Sequence, residues 1–232
     1  MDNMTSMTPF STITDFQQLG GSIASGQIVS VVENETSLLS ARVAEVTLQP
    51  GATLRWFLVA EGDVAHIQRR FVFRLHEGAR LELLGAFFGH HQRRLEFDLR
   101  IEHLAPRTTS YAAFRGALWG ASHVELRENI HMFPKAKDAN GRVDGHVLML
   151  SRDAVANIVP DLEIEQRNVR ASHGATIGQV SPDQLFYLAT RGMDRVAAEQ
   201  FIVEGFFREI FSNFPMDLRP NVSQFISSLT SS

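Results

Sequence analysis

The chain has 232 residues, a formal net charge of −4 and no cysteine. This length allows one or two domains, and 44% hydrophobic with 21% charged residues is typical of a soluble globular protein. The negative charge and the lack of a long Lys/Arg run argue against a nucleic-acid partner. The absence of cysteine excludes disulfides, thiolate metal sites and cysteine-ligated clusters on this chain.

Residues 1–25 are predicted to form an N-terminal extension. The segment from Met1 to Phe16 has neither the positive region nor the apolar region of a secretory signal. The longest apolar runs, such as that from Leu83 to Gly89, are far shorter than the roughly 20 residues that cross a bilayer. We therefore expect a cytoplasmic protein that does not contact a membrane.

Residues 26–178 are predicted to form a β-rich core. Short runs of alternating or β-branched residues follow one another, separated by turn signals such as Gln49-Pro50-Gly51. This pattern predicts many short strands with one polar and one apolar face. The clearest runs span residues 42–48, 67–75, 80–87, 95–101, 108–114 and 122–132.

A similar unit recurs along this core, in which an apolar residue is followed by a turn and a new strand. The units begin at Leu48, Leu75, Leu104 and Phe133, and successive starts are 27, 29 and 29 residues apart. A nearly constant period in this range is typical of solenoids, in which each unit buries its apolar face against its neighbours. We predict a right-handed parallel β-helix, and a β-sandwich with evenly spaced hairpins is the alternative.

Residues 179–232 are predicted to form a small α-helical domain. The sequence Ser-Pro-Asp-Gln beginning at Ser181 has the form of a capping box, which predicts a helix as far as about Thr190. Gly192 is suited to close that helix, and Asp194 is suited to cap a longer one. The apolar stripe of the longer helix predicts packing against the β core, or docking of a partner: Ala198, Phe201, Ile202, Gly205, Phe206, Ile210 and Phe214.

Three motifs give this chain a resemblance to a known family. They are Leu-Glu-Ile at 162–164, Ser-His-Gly-Ala-Thr beginning at Ser172, and Asp-Gln-Leu-Phe-Tyr beginning at Asp183. Through them the chain resembles the SufB/SufD family of the SUF iron–sulfur cluster assembly system, most clearly from Phe133 to Phe211 and more weakly back to Pro50. The resemblance implies a parallel β-helix with C-terminal helices, and a scaffold subunit that is not an enzyme.

The resemblance also implies partners. The β-helix is expected to dimerise through its end, either with a second copy or with a cysteine-bearing SufB-like homologue. The C-terminal helices are expected to dock an ABC-type ATPase, and the candidate docking residues are Asp194, Phe201, Glu204, Phe206, Phe207 and Ile210. We expect no tightly bound cofactor on the isolated chain, and a transient iron–sulfur cluster at the dimer interface.

Departures from the family pattern favour a short, SufD-like form. The resemblance implies that this chain is without the N-terminal helical region of longer members, and it places Gly145 at the position of the SufB sulfur-acceptor cysteine. Ser172 and Gly174 replace the two carboxylates that flank the histidine in SufB, and Ala171 replaces a cysteine of some SufD-like members. His173 remains as the candidate cluster, interface and metal residue, since imidazole is a good ligand for iron.

Two other functions compete with this interpretation. The first is an interaction module that has kept the fold without cluster chemistry, and the second is a cupin-type metalloenzyme suggested by nine histidines. The histidines lack the spacing of a metal site, and neighbours such as His90 and His91 face opposite sides of a strand or lie in a turn. The chain also lacks a P-loop, a dinucleotide fingerprint and a nucleophile elbow, so we expect no ATP binding of its own.

Overall fold

The computed structural model describes residues 10–13, 21–34, 41–60 and 64–214. These residues form strands followed by two helices. The elements are β1 (Phe10–Ile13), β2 (Ser22–Ile23), β3 (Ile28–Asn34), β4 (Ala41–Leu48), β5 (Thr53–Ala60), β6 (His66–Leu75), β7 (Arg80–Gly89), β8 (Arg94–His103), β9 (Thr109–Leu118), β10 (His123–Met132), β11 (Asn140–Met149), β12 (Val155–Ile164), β13 (Arg170–Gln179), α1 (Pro182–Thr190) and α2 (Arg195–Ser212).

Successive strands alternate between two sheets. The odd sheet has the order β1-β3-β5-β7-β9-β11-β13, and the even sheet has the order β12-β10-β8-β6-β4-β2. Every described pairing is parallel, for example β7 with β9 and β8 with β10. The chain therefore coils as a parallel β-solenoid of about five turns, as predicted. The sandwich and cupin alternatives are wrong, because both are built from antiparallel strands.

The predicted period is confirmed by the strand register to within one residue. Leu48, Leu75, His103 and Met132 lie side by side at the ends of four successive strands of the even sheet. Their spacings are 27, 28 and 29 residues, whereas the sequence units were placed one residue later at positions 104 and 133. The two strands β1 and β2 pair within the sheets, so the solenoid extends into the segment predicted as an N-terminal extension.

The interior of the solenoid is a continuous apolar core formed by the inward side chains of both sheets. Trp56 packs edge-on against Phe71 and Phe73, with ring centroids 5.5 and 5.7 Å apart. Large side chains alternate with glycines in neighbouring coils: Phe114 occupies the space above Gly85, and Phe87 occupies the space above Gly116. This complementarity lets large rings pack closely in a narrow interior, as protein cores require.

A second apolar cluster joins α2 to the outer face of the odd sheet. Phe207 of α2 stacks on Phe88 with ring centroids 4.5 Å apart, and Phe214 contacts Phe57 at 4.9 Å. The run from Leu83 to Gly89 is apolar throughout because it is buried on both faces, by the interior on one side and by α2 on the other. The helix therefore belongs to the same packed unit as the solenoid.

Two predicted details of the helices are corrected by the structure. Ser181 precedes α1 but makes no side-chain capping hydrogen bond, whereas Asp194 caps α2 by accepting from the N–H of Ala197 at 2.8 Å. The buried side of α2 includes Val203, because the helix face is chosen by the aromatic outer surface of the odd sheet; Phe201, placed in the predicted stripe, is exposed. In the described part of the chain neither helix has the length and apolar character of a membrane span.

The glycine and aromatic pairing makes a quantitative prediction. A Cβ at position 116 would lie 1.9 Å from Cε2 of Phe87, so Gly116→Ala forces the core to shift and should destabilise the protein by about 1–3 kcal/mol. The same change at Gly205, an exposed position of α2 with open space beside it, should stabilise by up to about 1 kcal/mol because alanine favours helix. Urea unfolding of the two variants should therefore move the midpoint in opposite directions, and equal shifts would contradict this packing.

Candidate functional site

The last coil of the solenoid leaves an open end. The terminal strands β12 and β13 each pair with a neighbour on one side only within the described sheets. Their free edges carry backbone N–H and C=O groups without ladder partners, and the apolar interior behind them is uncovered. Three inward-facing apolar side chains of this coil are correspondingly exposed, Leu162, Ile164 and Ile177, and Val155 and Val159 are exposed on the outer face of β12. We call this surface, formed by β12 and β13, the open end.

His173 lies on β13 and points into the interior at this open end. Its neighbour in the strand register is Val143, and the same interior position in earlier coils is held by Ala112, Leu83 and Trp56. The imidazole thus stands in an otherwise apolar column of side chains. Its side chain is only 6% exposed, and both ring nitrogens are buried.

Glu128 faces His173 from the opposite sheet. It lies on β10, in an interior column whose other members are Ala44, Phe71, Leu99 and Pro160. Its side chain is 0% exposed, and its Oε2 lies 2.9 Å from Nε2 of His173. This is an ion-pair distance, but the atoms are not aligned as a hydrogen bond, and neither carboxylate oxygen has a hydrogen-bond partner among the described residues.

The surroundings oppose ionisation of Glu128. Burial raises the pKa of this carboxyl, His173 acts in the opposite direction, and the nearby charge of Asp144 raises it further. Asp144 itself lies on the outer side of β11, where Nε of Arg142 donates to its Oδ2 at 2.6 Å. The Asp144 carboxylate also fills the space above Gly174, since a Cβ at that position would lie 2.7 Å from Oδ1.

The structure places Gly145 beside the same carboxylate. Gly145 points inward from β11, and a Cβ at this position would lie 2.9 Å from Oε2 of Glu128. The position assigned to the sulfur-acceptor cysteine of SufB is therefore filled in part by the Glu128 side chain. Ala171 packs at the edge of the interior core on β13. Position 145, His173 and Glu128 thus meet at one end of the solenoid.

Glu128 belongs to none of the sequence motifs described above, although the repeat carries a signal for it. Once the register is applied, Glu128 falls in phase with Phe71 and Leu99, where the pattern requires an apolar residue. A carboxylate at an interior position is rare unless it is paired or ligates a metal. The departure from the pattern therefore marks a candidate functional residue.

The predicted docking residues do not all lie on the surface. Phe207 and Ile210 are buried against the odd sheet, and Asp194 is the cap of α2. Phe201 is 51% exposed, and Phe206 is half-buried with the guanidinium of Arg115 over its ring at 5.2 Å. Glu204 is also half-buried. Helix α1 adds two exposed aromatic side chains that the prediction did not include, Phe186 and Tyr187.

Two other histidines have well-defined polar partners. His103 is buried, with Nδ1 2.7 Å from Oγ1 of Thr108 and Nε2 2.9 Å from Oγ of Ser110, and burial lowers its pKa to about 4. His131 on the outer face has Nε2 2.6 Å from Oε1 of Glu165. Over the described ranges, no group of three or more His, Asp or Glu side chains is arranged to hold a metal ion.

Comparison with known protein families decides the relationship of this chain. Residues 20–206 match the model of the SUF system FeS cluster assembly, SufBD core domain. The chain belongs to the SufBD core family. The resemblance drawn from the Leu-Glu-Ile, Ser-His-Gly-Ala-Thr and Asp-Gln-Leu-Phe-Tyr motifs is therefore confirmed. All three motifs begin within the matched range.

Curated relatives are consistent with this membership. An iron–sulfur cluster assembly SufBD family protein of Mycobacterium leprae is 34% identical over 160 residues, which is 65% of this chain and 40% of the relative. One of Staphylococcus epidermidis is 28% identical, over 66% of this SufBD core chain and 33% of the relative. The iron–sulfur cluster assembly protein SufB of Bacillus subtilis is 27% identical, over 77% and 38% respectively. The chain therefore spans less than half the length of these three relatives.

The buried His103 predicts a pH dependence of stability. Its pKa is about 4 in the folded chain and near 6.5 when unfolded, so between these values the unfolded state binds more protons. Stability should therefore fall as the pH decreases from about 6.5 to about 4, by up to about 3 kcal/mol from this group. The measurement is the free energy of unfolding of the wild type and of His103→Gln at several pH values in this range, and the wild type should lose more stability as the pH falls. A constant difference between the two curves would contradict the prediction.

Proposed function

We propose that this SufBD core chain is a non-catalytic, SufD-like scaffold subunit of cytoplasmic SUF iron–sulfur cluster assembly. The observation that carries the proposal is the open end, where a buried imidazole and a buried carboxylate lie beside two unpaired strand edges. Edge pairing with a second β-solenoid would satisfy the free backbone groups and enclose His173 at the junction. The junction is the proposed place where a forming cluster is held.

The cluster is the cargo of this system, and this chain would contribute to it without thiolates. It contains no cysteine, so sulfur must be delivered to and held by residues of another subunit. His173 can supply a nitrogen ligand to iron, because neutral imidazole binds iron well. A cysteine-bearing SufB-like homologue is therefore the favoured partner, and a second copy of the chain is the alternative.

ATPase docking is proposed for the outer surface of the helices. Phe186 and Tyr187 of α1, with Phe201 of α2, expose large aromatic surfaces on the same small helical unit, and such side chains are favoured at protein interfaces. Among the residues predicted from the resemblance, Phe201 is the most suitable anchor. Phe207 and Ile210 would act indirectly, by holding α2 on the odd sheet.

Two substitutions should separate the two proposed interfaces. In affinity purification from the native cytoplasm, Leu162→Lys should lose the paired scaffold subunit and keep the ATPase, because a charge would enter the exposed interior at the open end. Phe201→Ser should lose the ATPase and keep the scaffold subunit. Val43→Lys, at an exposed position of β4, is the control that should keep both. If both interface variants lost the same partner, the proposal that the two partners bind separate surfaces would be wrong.

Cluster reconstitution tests the central proposal directly. The purified chain supplied with ferrous iron and sulfide should form no stable cluster, whereas a mixture with the cysteine-bearing homologue should show the visible absorption of a cluster. His173→Ala should reduce that yield in the mixture. A stable cluster on the chain alone would overturn the auxiliary role. An unchanged yield with His173→Ala would favour the alternative interaction module without cluster chemistry.

A further inference from the structure

The pair formed by Glu128 and His173 brings two buried polar side chains to ion-pair distance without an aligned hydrogen bond between them. Each residue is the polar exception in an apolar interior column, and together they meet across the two sheets. Their side chains are 0% and 6% exposed. Burial of such groups is costly unless they are hydrogen-bonded, paired or bound to a metal.

The relative position of the two donor atoms favours metal binding over hydrogen bonding. Oε2 of Glu128 lies 2.9 Å from Nε2 of His173, but off the direction that an N–H donor requires, so all four polar atoms of the pair lack an aligned hydrogen bond to any described residue. Two ligand atoms each about 2.1 Å from one ion, at an angle near 90°, lie about 3.0 Å apart. The lone pairs then converge on the ion instead of pointing at each other.

We propose that Glu128 is the second donor, with His173, of a half-site for a divalent transition-metal ion inside the open end of the solenoid. The inference rests on the proposed function only in assigning metal handling to His173. One imidazole nitrogen and one carboxylate oxygen suit ions of the ferrous type, which accept such mixed ligands and near-octahedral angles. Once an ion is bound, the Glu128 carboxylate supplies the negative charge that a chain without cysteine would otherwise lack at this place.

The surrounding residues define what the half-site can contain. Because Gly145 has no side chain, the Glu128 carboxylate can occupy the space beside it. A side chain at position 145 would displace that carboxylate. Asp144 lies on the outer side of β11 and pairs with Arg142, so it is not a third ligand. No third ligating side chain completes the group in the part of the chain described. The remaining coordination positions therefore go to water, or to a subunit paired at the open end.

The test uses Co²⁺ as the probe with the purified full-length chain. Calorimetric titration should show one ion per chain, and proton NMR should show a hyperfine-shifted imidazole N–H signal from the coordinated histidine. His173→Asn should abolish both signals. Glu128→Gln, which keeps the shape of the side chain, should weaken binding by about tenfold or more.

A matched pair on the outer face of the even sheet provides the control. His131 and Glu165 also place an imidazole nitrogen beside a carboxylate, but as an aligned hydrogen bond at 2.6 Å on the outer face. His131→Asn and Glu165→Gln should leave the dissociation constant within about twofold of the wild-type value. Loss of binding in these variants would place the ion on the surface and overturn the proposal.

Two further outcomes would also overturn it. The first is the absence of Co²⁺ binding by the wild-type chain, and the second is an unchanged affinity in Glu128→Gln while His173→Asn abolishes binding. Thermal unfolding checks that each variant is folded, and Glu128→Asp, which withdraws the carboxylate by one methylene, replaces the Gln variant if that one is not. Since the readout needs neither a partner subunit nor the ATPase, its failure is separable from failure of the proposed scaffold function.

Discussion

Parallel coiling is the constraint on which the rest of this structure depends. Each coil buries its inward side chains and satisfies its backbone groups only through the coils above and below it. That rule fixes the recurrence of apolar residues, the alternation of phenylalanine and glycine along the interior, and the uncovered surface at the last coil. A solenoid of this kind has no further coil to pair with the backbone N–H and C=O groups of its terminal strands. Those groups must be exposed to water, covered by a capping segment or paired with another subunit.

The same constraint explains why a polar pair is informative where it occurs. Interior positions repeat from coil to coil, so the residues stacked at one position share similar surroundings. A polar residue in an apolar column is therefore easily recognised as an exception. Glu128 follows Ala44, Phe71 and Leu99, and the change to a carboxylate comes one coil before the open end. The outer face of the same sheet carries many charges that solvent satisfies, and there an additional Glu would mean little. Burial and position together give the pair its significance.

The sequence alone was sufficient to predict the repeat and to locate His173, but not to predict which side chains meet across the two sheets. The period was recognisable because apolar residues and turns recur locally, and the Ser-His-Gly motif located His173. Glu128 was not found, because its meeting with His173 depends on how two sheets face each other across 45 residues of chain. The buried face of α2 was also misplaced by a fraction of a turn, because that face is selected by Phe57 and Phe88 of a distant sheet. Local periodicity predicts elements, whereas contacts between elements require the register.

Assembly and chemistry are coupled by this geometry. The groups left uncovered at the open end, namely free strand edges and exposed apolar side chains, surround the two groups proposed to hold a metal ion. Glu128 and His173 are already almost fully buried, and a subunit that pairs with β12 and β13 would cover the exposed apolar rim around them, so the surroundings of a bound cation would become less polar. The buried position of the carboxylate is costly in the isolated chain, and its cost falls once a cation or a partner's ligand is present. If the proposed pairing and metal site are correct, the solenoid should therefore bind a cation most strongly when its open end is paired.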